Sequence, residues 1–293
     1  MYVYVNGAIV PEHEAKISIF DHGFMYGLGV FETFRLYEGH PFLLDDHLYR
    51  LQKGLKALNI RLDLTKEKVI SILTKLGQAN GVENAYIRFN VSAGSAPLGL
   101  SVAPFTEPNV IVYMKPIDAP FARAKRGEIL NVRRNTPEGA ERLKSHHFLN
   151  NVIGRREIGD RLDVEGIFLT EAGHVAEGVV SNIFWVKDDQ VFTPAVGTGI
   201  LNGVTRQFIL TLLEKLDIPF EEGYYHREEL VRSDYAFMTN SIQEIVTLTD
   251  VDGQSFTSET PIIHQLRLHY EQYKKSLWSR FNIKMNERGL NEK

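Results

Sequence analysis

Apolar and polar positions alternate over residues 30–37, the two-residue period of a β-strand, and Glu38-Gly39-His40 turns this strand into an apolar run at 41–44. His47, Leu48, Leu51, Leu55 and Leu58 then recur at helical spacing, with Asp45 or Asp46 as the expected cap. A second helix is expected at 65–80, followed by strands at 85–93 and 110–114. Residues 115–127 contain Pro116, Pro120 and Gly127 and lack periodicity, so they read as a connection. Beyond it the pattern predicts a strand at 129–133, a helix at 147–161, and strands at 166–170, 175–178 and 183–186. Glu171-Ala172-Gly173-His174 and Lys187-Asp188-Asp189-Gln190 have the composition of hairpin turns. A helix at 204–216, a strand at 235–239 and a helix from Pro261 complete the chain. The whole predicts an α+β fold of two domains, a smaller one at 1–116 and a larger one at 128–293, joined by residues 117–127. A cleft between domains is a common place for a ligand.

Composition changes this picture mainly by exclusion. The 293 residues are 43% hydrophobic and 24% charged, ordinary values for a soluble protein. A formal charge of −4 with no long basic block argues against nucleic acid. No cysteine is present, so disulfides, thiolate nucleophiles and zinc–thiolate sites are excluded. The first residues read as a strand rather than a signal peptide, and no apolar run approaches the ~20 residues that span a bilayer. A cytoplasmic location without a membrane partner is expected.

The candidate chemistry lies in an ordered set of residues. Lys144 stands in Arg142-Leu143-Lys144-Ser145-His146-His147, and Glu177 closes a strand before Ser181-Asn182. Taken singly, each would be a solvated side chain. Together, an amine that can condense with an aldehyde and a carboxylate that can keep a pyridine nitrogen protonated are the protein groups that pyridoxal 5'-phosphate chemistry needs. The stretch from Gly199 to Arg206 ends a loop and opens a helix, and free N–H groups there suit a phosphate. Arg50 can clamp the same phosphate, and Thr239-Asn240-Ser241 offers hydroxyl and amide groups at a strand end.

These motifs, with Asp21-His22-Gly23-Phe24-Met25-Tyr26-Gly27 and Val30-Phe31-Glu32-Thr33-Phe34-Arg35, resemble the class IV pyridoxal-phosphate enzymes, the branched-chain and D-amino-acid aminotransferase type of fold. The resemblance covers nearly the whole chain. Within that family the chain looks most like the bacterial (Bacillus-type) 4-amino-4-deoxychorismate lyases, through residues 133–139, 143–147 and 238–241. It implies Lys144 as the Schiff-base lysine and Glu177 as partner of the pyridine nitrogen. It also implies Arg50, Thr205, Ser241 and the backbone of Val204 around the phosphate. The implied reaction is removal of the C4 proton of aminodeoxychorismate and β-elimination, giving 4-aminobenzoate and pyruvate. The alternative is an aminotransferase of D-amino or branched-chain L-amino acids, and a non-catalytic binding protein is a third reading. Ala93 stands where D-amino-acid aminotransferases carry an arginine for the substrate carboxylate. Arg133, Arg134 and Arg142 are then the candidates for the substrate's carboxylates. The resemblance also implies a homodimer, with the active site near the interface.

Two patterns carry no function. Gly27-Leu28-Gly29 lacks the third glycine and the following helix of a dinucleotide loop. His146-His147 has no supporting ligand cluster, and adjacent residues on a helix diverge, so no metal is expected.

Overall fold

The computed structural model describes residues 1–117, 121–256 and 260–283. Its first part comprises β1 (Tyr2–Val5), β2 (Ala8–Pro11), α1 (His22–Tyr26), β3 (Gly29–Tyr37), β4 (His40–Pro41), α2 (Leu44–Ala57), α3 (Lys66–Asn80), β5 (Ala85–Ser92) and β6 (Asn109–Pro116). The second comprises β7 (Ala124–Ile129), α4 (Leu149–Ile158), β8 (Val164–Leu169), β9 (Val175–Gly178), β10 (Asn182–Lys187), β11 (Gln190–Pro194), α5 (Val204–Lys215), β12 (Phe220–Gly223), α6 (Arg227–Val231), β13 (Tyr235–Asn240), β14 (Glu244–Val251), β15 (Gln254–Ser255) and α7 (Pro261–Tyr273). The strands form two sheets, ordered β2-β1-β6-β5-β3-β4 and β12-β11-β10-β13-β14-β7-β8-β9, with β15 paired to β14.

The first sheet carries its apolar core on one face. Val30, Phe34 and Leu36 of β3 join Ile87, Phe89 and Val91 of β5 in a core closed by α2 and α3. The period of two then sends Phe31, Thr33 and Arg35 to the other face. In the second sheet both faces are covered. Phe184 and Val186 of β10 pack with Phe208 of α5 and Leu266 of α7, whereas Ile183 and Trp185 join a core with Leu230 of α6. That is why this segment reads as a continuous apolar run rather than an alternation. Among the described residues no helix is long and apolar enough to cross a membrane.

Most of the expected elements stand within a residue or two of their places, and the exceptions have physical causes. Neither Asp45 nor Asp46 caps α2. The cap residue is Leu43, in the left-handed region at φ 56°, without a side-chain cap. The C-terminal segment caps this end instead: the N–H groups of Leu43 and Asp45 donate to the carbonyls of Leu277 and Trp278, each at 3.0 Å. Asp46 accepts from Arg280 N–H at 3.0 Å and from its guanidinium. The strand expected at 129–133 runs earlier, as β7. It lies inside the sheet between β14 and β8 but carries Lys125, Arg126 and Glu128, which pair with Glu165, Asp250 and Arg161. Charges matched by distant partners erase the apolar alternation a strand would show. The connection therefore shrinks to residues between β6 and β7, of which Asp118, Ala119 and Pro120 lie outside the described residues. α4 is shorter at both ends than expected, and His146 and His147 precede it on a loop.

Replacing Asp46 by Ala should free the C-terminal segment and leave the start of α2 without its anchor. We expect a loss of about 1.5–3 kcal/mol in chemical denaturation, with faster proteolysis near residues 277–283. Unchanged stability would contradict this anchoring.

Candidate active site

Lys144 lies on the loop between β7 and α4 and is stitched to the start of β3. Phe31 N–H donates to Lys144 O (2.9 Å), and His146 N–H donates to Gly29 O (3.0 Å). Gly29 permits this close approach, since a Cβ there would sit 2.3 Å from His146 Cε1. The second half of the chain thus delivers an amine to the face of β3 opposite the first core, 4.5 Å from the centre of the Phe31 ring. Burial pushes this amine down from 10.5 to about 8, the charges of Arg50 and Arg88 adding to the effect and Glu32 and Glu177 opposing it. Near neutral pH a far larger fraction is then a free nucleophile than in a solvated lysine. The amine faces a cavity of about 400 Å³ at the junction of the two sheets, also lined by Phe31, Arg50, Arg88, Glu177, Thr205 and Ser241.

Glu177, on β9, is buried, and two arginines converge on it. Arg134 Nε lies 2.8 Å and Arg142 Nε 3.7 Å from Oε1, while Leu201 N–H donates to Oε2 at 3.0 Å. Arg134 Nη1 also donates to Asn150 (2.6 Å) and Asn151 (3.2 Å). Arg142 donates from Nε to Gly199 O at 2.6 Å and from Nη2 to Asn135 O. Burial first, and then the charge of Arg134, push Arg142 down to about 10. Both side chains reach the cavity wall, and these donors hold Glu177, Gly199, Asn135, Asn150 and Asn151. In the structure these contacts brace Glu177 and the 199–201 loop, from side chains that also line the cavity where they were expected to meet the substrate's carboxylates. Arg133 is exposed and outside the cavity lining, and its carbonyl accepts from Asn150 Nδ2 at 2.9 Å. The cause is alternation along residues 132–135, which turns Arg134 inward and its neighbours out.

The other end of the cavity suits a phosphate. α5 starts at Val204 with no side-chain cap on Gly203, so its first N–H groups lack intrahelical partners beside the cavity. Gly203 lets the helix start approach β10, because a Cβ there would meet Asn182 Oδ1 at 2.1 Å. Thr205 Oγ1 and Ser241 Oγ lie 3.2 Å apart on the same wall. Arg50 is aimed from behind: Glu32 takes its Nε at 2.8 Å and its Nη2 at 2.6 Å, and Nη1 donates to Asn202 O at 3.1 Å. Glu32 also accepts from His47 Nδ1 at 2.6 Å. Burial alone would raise Glu32, but the charge and hydrogen bonds of Arg50, with His47, hold it down to about 2. Burial lowers His47, against the raising effect of its hydrogen bond to Glu32.

Arg88 was not among the residues expected from sequence. It lies on β5 opposite Thr33, and its guanidinium sits 3.6 Å from the centre of the Phe31 ring. It lines the cavity, and no carboxylate among the described residues pairs with it. The alternation of Tyr86, Arg88 and Asn90 against Ile87, Phe89 and Val91 was the signal that could have found it. Ala93, by contrast, is buried in the first core. Among the described residues no cluster has the make-up of a metal site; His146 meets Asn90 at 3.0 Å and His147 meets Glu138 at 3.3 Å.

The set fits an aromatic aldehyde phosphate. It offers an amine for the aldehyde, a buried carboxylate for a ring nitrogen, and helix N–H groups with hydroxyls for the phosphate. Thr239 Oγ1, on the same wall, is buried without a hydrogen-bond partner among the described residues, as expected of a group awaiting a ligand.

In cofactor-free protein, modification of Lys144 by an amine reagent should follow a titration midpoint near 8 rather than 10.5. Burial disfavours the charged amine, so its destabilising effect is full below the folded value and fades as pH rises from about 8 to 10.5. A midpoint at the ordinary lysine value, read by peptide mapping, would refute the buried amine.

Residues 29–251, which include every residue of this site, match the family described as Amino-transferase class IV. The chain is 46% identical to the aminodeoxychorismate lyase of Bacillus subtilis (strain 168), over 88% of its own length and 89% of the relative's. The structure of a branched-chain aminotransferase from Thermoproteus uzoniensis with norvaline matches with a TM-score of 0.84 at 27% identity, covering 94% of this chain and 96% of that one. A branched-chain amino acid aminotransferase from T.th., solved with pyridoxamine 5'-phosphate, matches with a TM-score of 0.82 at 25% identity, over 92% and 93% of the two chains. With the lysine, the carboxylate and the anion end assembled on one cavity, this protein belongs to the amino-transferase class IV family.

Proposed function

We propose that the protein binds pyridoxal 5'-phosphate in this cavity and converts 4-amino-4-deoxychorismate to 4-aminobenzoate and pyruvate. The observation that carries the reading is that Lys144 shares its cavity with a cation, Arg88, that no carboxylate among the described residues pairs with. The substrate joins an amine to carboxylates on the ring and on the enolpyruvyl group, and Arg88 gives one carboxylate a partner. The identity to the Bacillus subtilis lyase supports the same choice.

When bound, the cofactor supplies an electron sink conjugated to the carbon that bears the substrate amine. Glu177, held by Arg134 and Leu201, keeps the proton of the ring nitrogen in place. Thr205, Ser241 and the α5 N-terminus hold the phosphate, with Arg50 alongside. Lys144, neutral in good measure near pH 8, takes the proton from C4. As that proton leaves, the C3–O bond breaks, enolpyruvate departs and takes a proton to become pyruvate, and the six-membered ring becomes aromatic.

A second copy of the chain completes the proposal. The segment 17–26 and the loop 94–102 are tied together, with His22 N–H on Gly94 O at 2.9 Å and Gly99 N–H on Tyr26 Oη at 3.0 Å. Between them they expose Ile19, Phe24, Leu98, Leu100 and Val102, an apolar cluster that suits a homodimer interface.

Given aminodeoxychorismate, the cofactor-loaded protein should release 4-aminobenzoate and pyruvate in equal amounts. Lys144→Ala should lose roughly 10²–10⁴-fold or more, and Arg88→Gln should raise KM roughly tenfold or more. Keto acid formation from D-amino or branched-chain L-amino acids, without 4-aminobenzoate, would overturn the lyase reading in favour of an aminotransferase. Leu100→Asp should shift the molar mass in light scattering from dimer to monomer, and a monomeric parent protein would refute the interface.

A further inference from the structure

Arg35 does not line the cavity, yet it reaches from the first sheet to a turn of the second that does. On β3 it sits opposite Tyr86, on the face shared with Phe31 and Thr33. Its Nη1 donates to Ile242 O at 3.2 Å and to Glu244 Oε1 at 3.1 Å. The same carboxylate oxygen accepts from Tyr37 Oη at 2.8 Å and from Lys274 Nζ at 3.3 Å. Glu244 opens β14 with φ 66°, a left-handed conformation that a residue with a side chain adopts at a cost and keeps only where its surroundings enforce it.

Between β13 and β14 the chain turns through Ser241, Ile242 and Gln243. Asn240 Oδ1 closes this turn from inside, accepting from Ile242 N–H at 2.9 Å and Gln243 N–H at 2.7 Å. Arg35 holds it from outside. At its tip, Ser241 faces Thr205 at the anion end of the cavity. The Arg35 guanidinium also lies 5.6 Å from the ring of Phe121, another residue of the cavity wall.

We propose that Arg35 is a positioning residue: its ion pair with Glu244 sets the 241–243 turn so that Ser241 meets the cofactor phosphate. The first sheet thereby tunes the anion affinity of a site built mostly by the second. The proposal rests on the pyridoxal-phosphate reading above. A pair that only joined the sheets would change stability and leave recognition of the phosphate untouched.

The test compares retention of pyridoxal 5'-phosphate with that of phosphate-free pyridoxal, read by absorbance of the lysine adduct during dialysis of the loaded protein. Denaturation midpoints are followed in parallel. Arg35→Gln and Glu244→Gln should each weaken pyridoxal 5'-phosphate about tenfold and leave pyridoxal unchanged, and the double variant should be no worse than either single one. Arg35→Lys, which keeps the charge without the fork, should lose only a few-fold and carries the test if Arg35→Gln fails to fold. Equal weakening of both ligands, or a fall in stability alone, would overturn the positioning role. If the parent protein retains neither ligand, the cofactor reading itself fails, and this proposal with it.

Discussion

Two backbone hydrogen bonds between the Lys144 loop and the first residues of β3 are the constraint on which the site depends. They join segments more than a hundred residues apart in sequence, and they place the amine at a seam between two sheets. A seam is where such an amine can be both buried and reachable. In either core it would lack water and ligand alike, and on either outer surface its pKa would be that of any solvated lysine. The absence of a side chain at Gly29 lets the loop lie against the strand, so one small residue underlies the geometry of the larger one.

Charge compensation organises the rest of the cavity. Two carboxylates, Glu32 and Glu177, are buried near the amine, and each is held by an arginine through charged hydrogen bonds. Burying such groups without partners would be strongly unfavourable, so Arg50 and Arg134 are committed largely to the protein itself. That commitment gives Arg88 its meaning. It occupies the same cavity, stacks on Phe31 and has no carboxylate among the described residues to answer it, so its charge is available to a ligand. The anion end adds little formal charge of its own and relies on helix N–H groups and hydroxyls, whose directions depend on how neighbouring turns are held.

Much of the fold was legible because local patterns and tertiary burial agree. The alternation at 30–37 became β3, the leucine stripe became the buried face of α2, and Thr65 caps α3 as its side chain allows. Where they disagreed, the partner was far away in sequence. β7 carries three charged residues whose partners lie on other elements, and α2 is capped by carbonyls from the C-terminal segment. No window of local sequence contains those partners.

The same division runs through the site. By itself the sequence determined the kinds of group present: the lysine, the glutamate, the helix start at Val204 and the hydroxyls of Thr205 and Ser241. These follow from residue identity and short-range spacing, and the resemblance to class IV enzymes follows from their order. Where each arginine points, and what it contacts, was decided only by the tertiary structure. Arg134 turns inward to Glu177, Arg133 turns out, Arg50 is fixed by Glu32, and Arg88, unremarked in the sequence, faces the cavity. An arginine's role depends on which charges lie within a few ångströms of its guanidinium, and that distance is set by packing across sheets rather than by position along the chain.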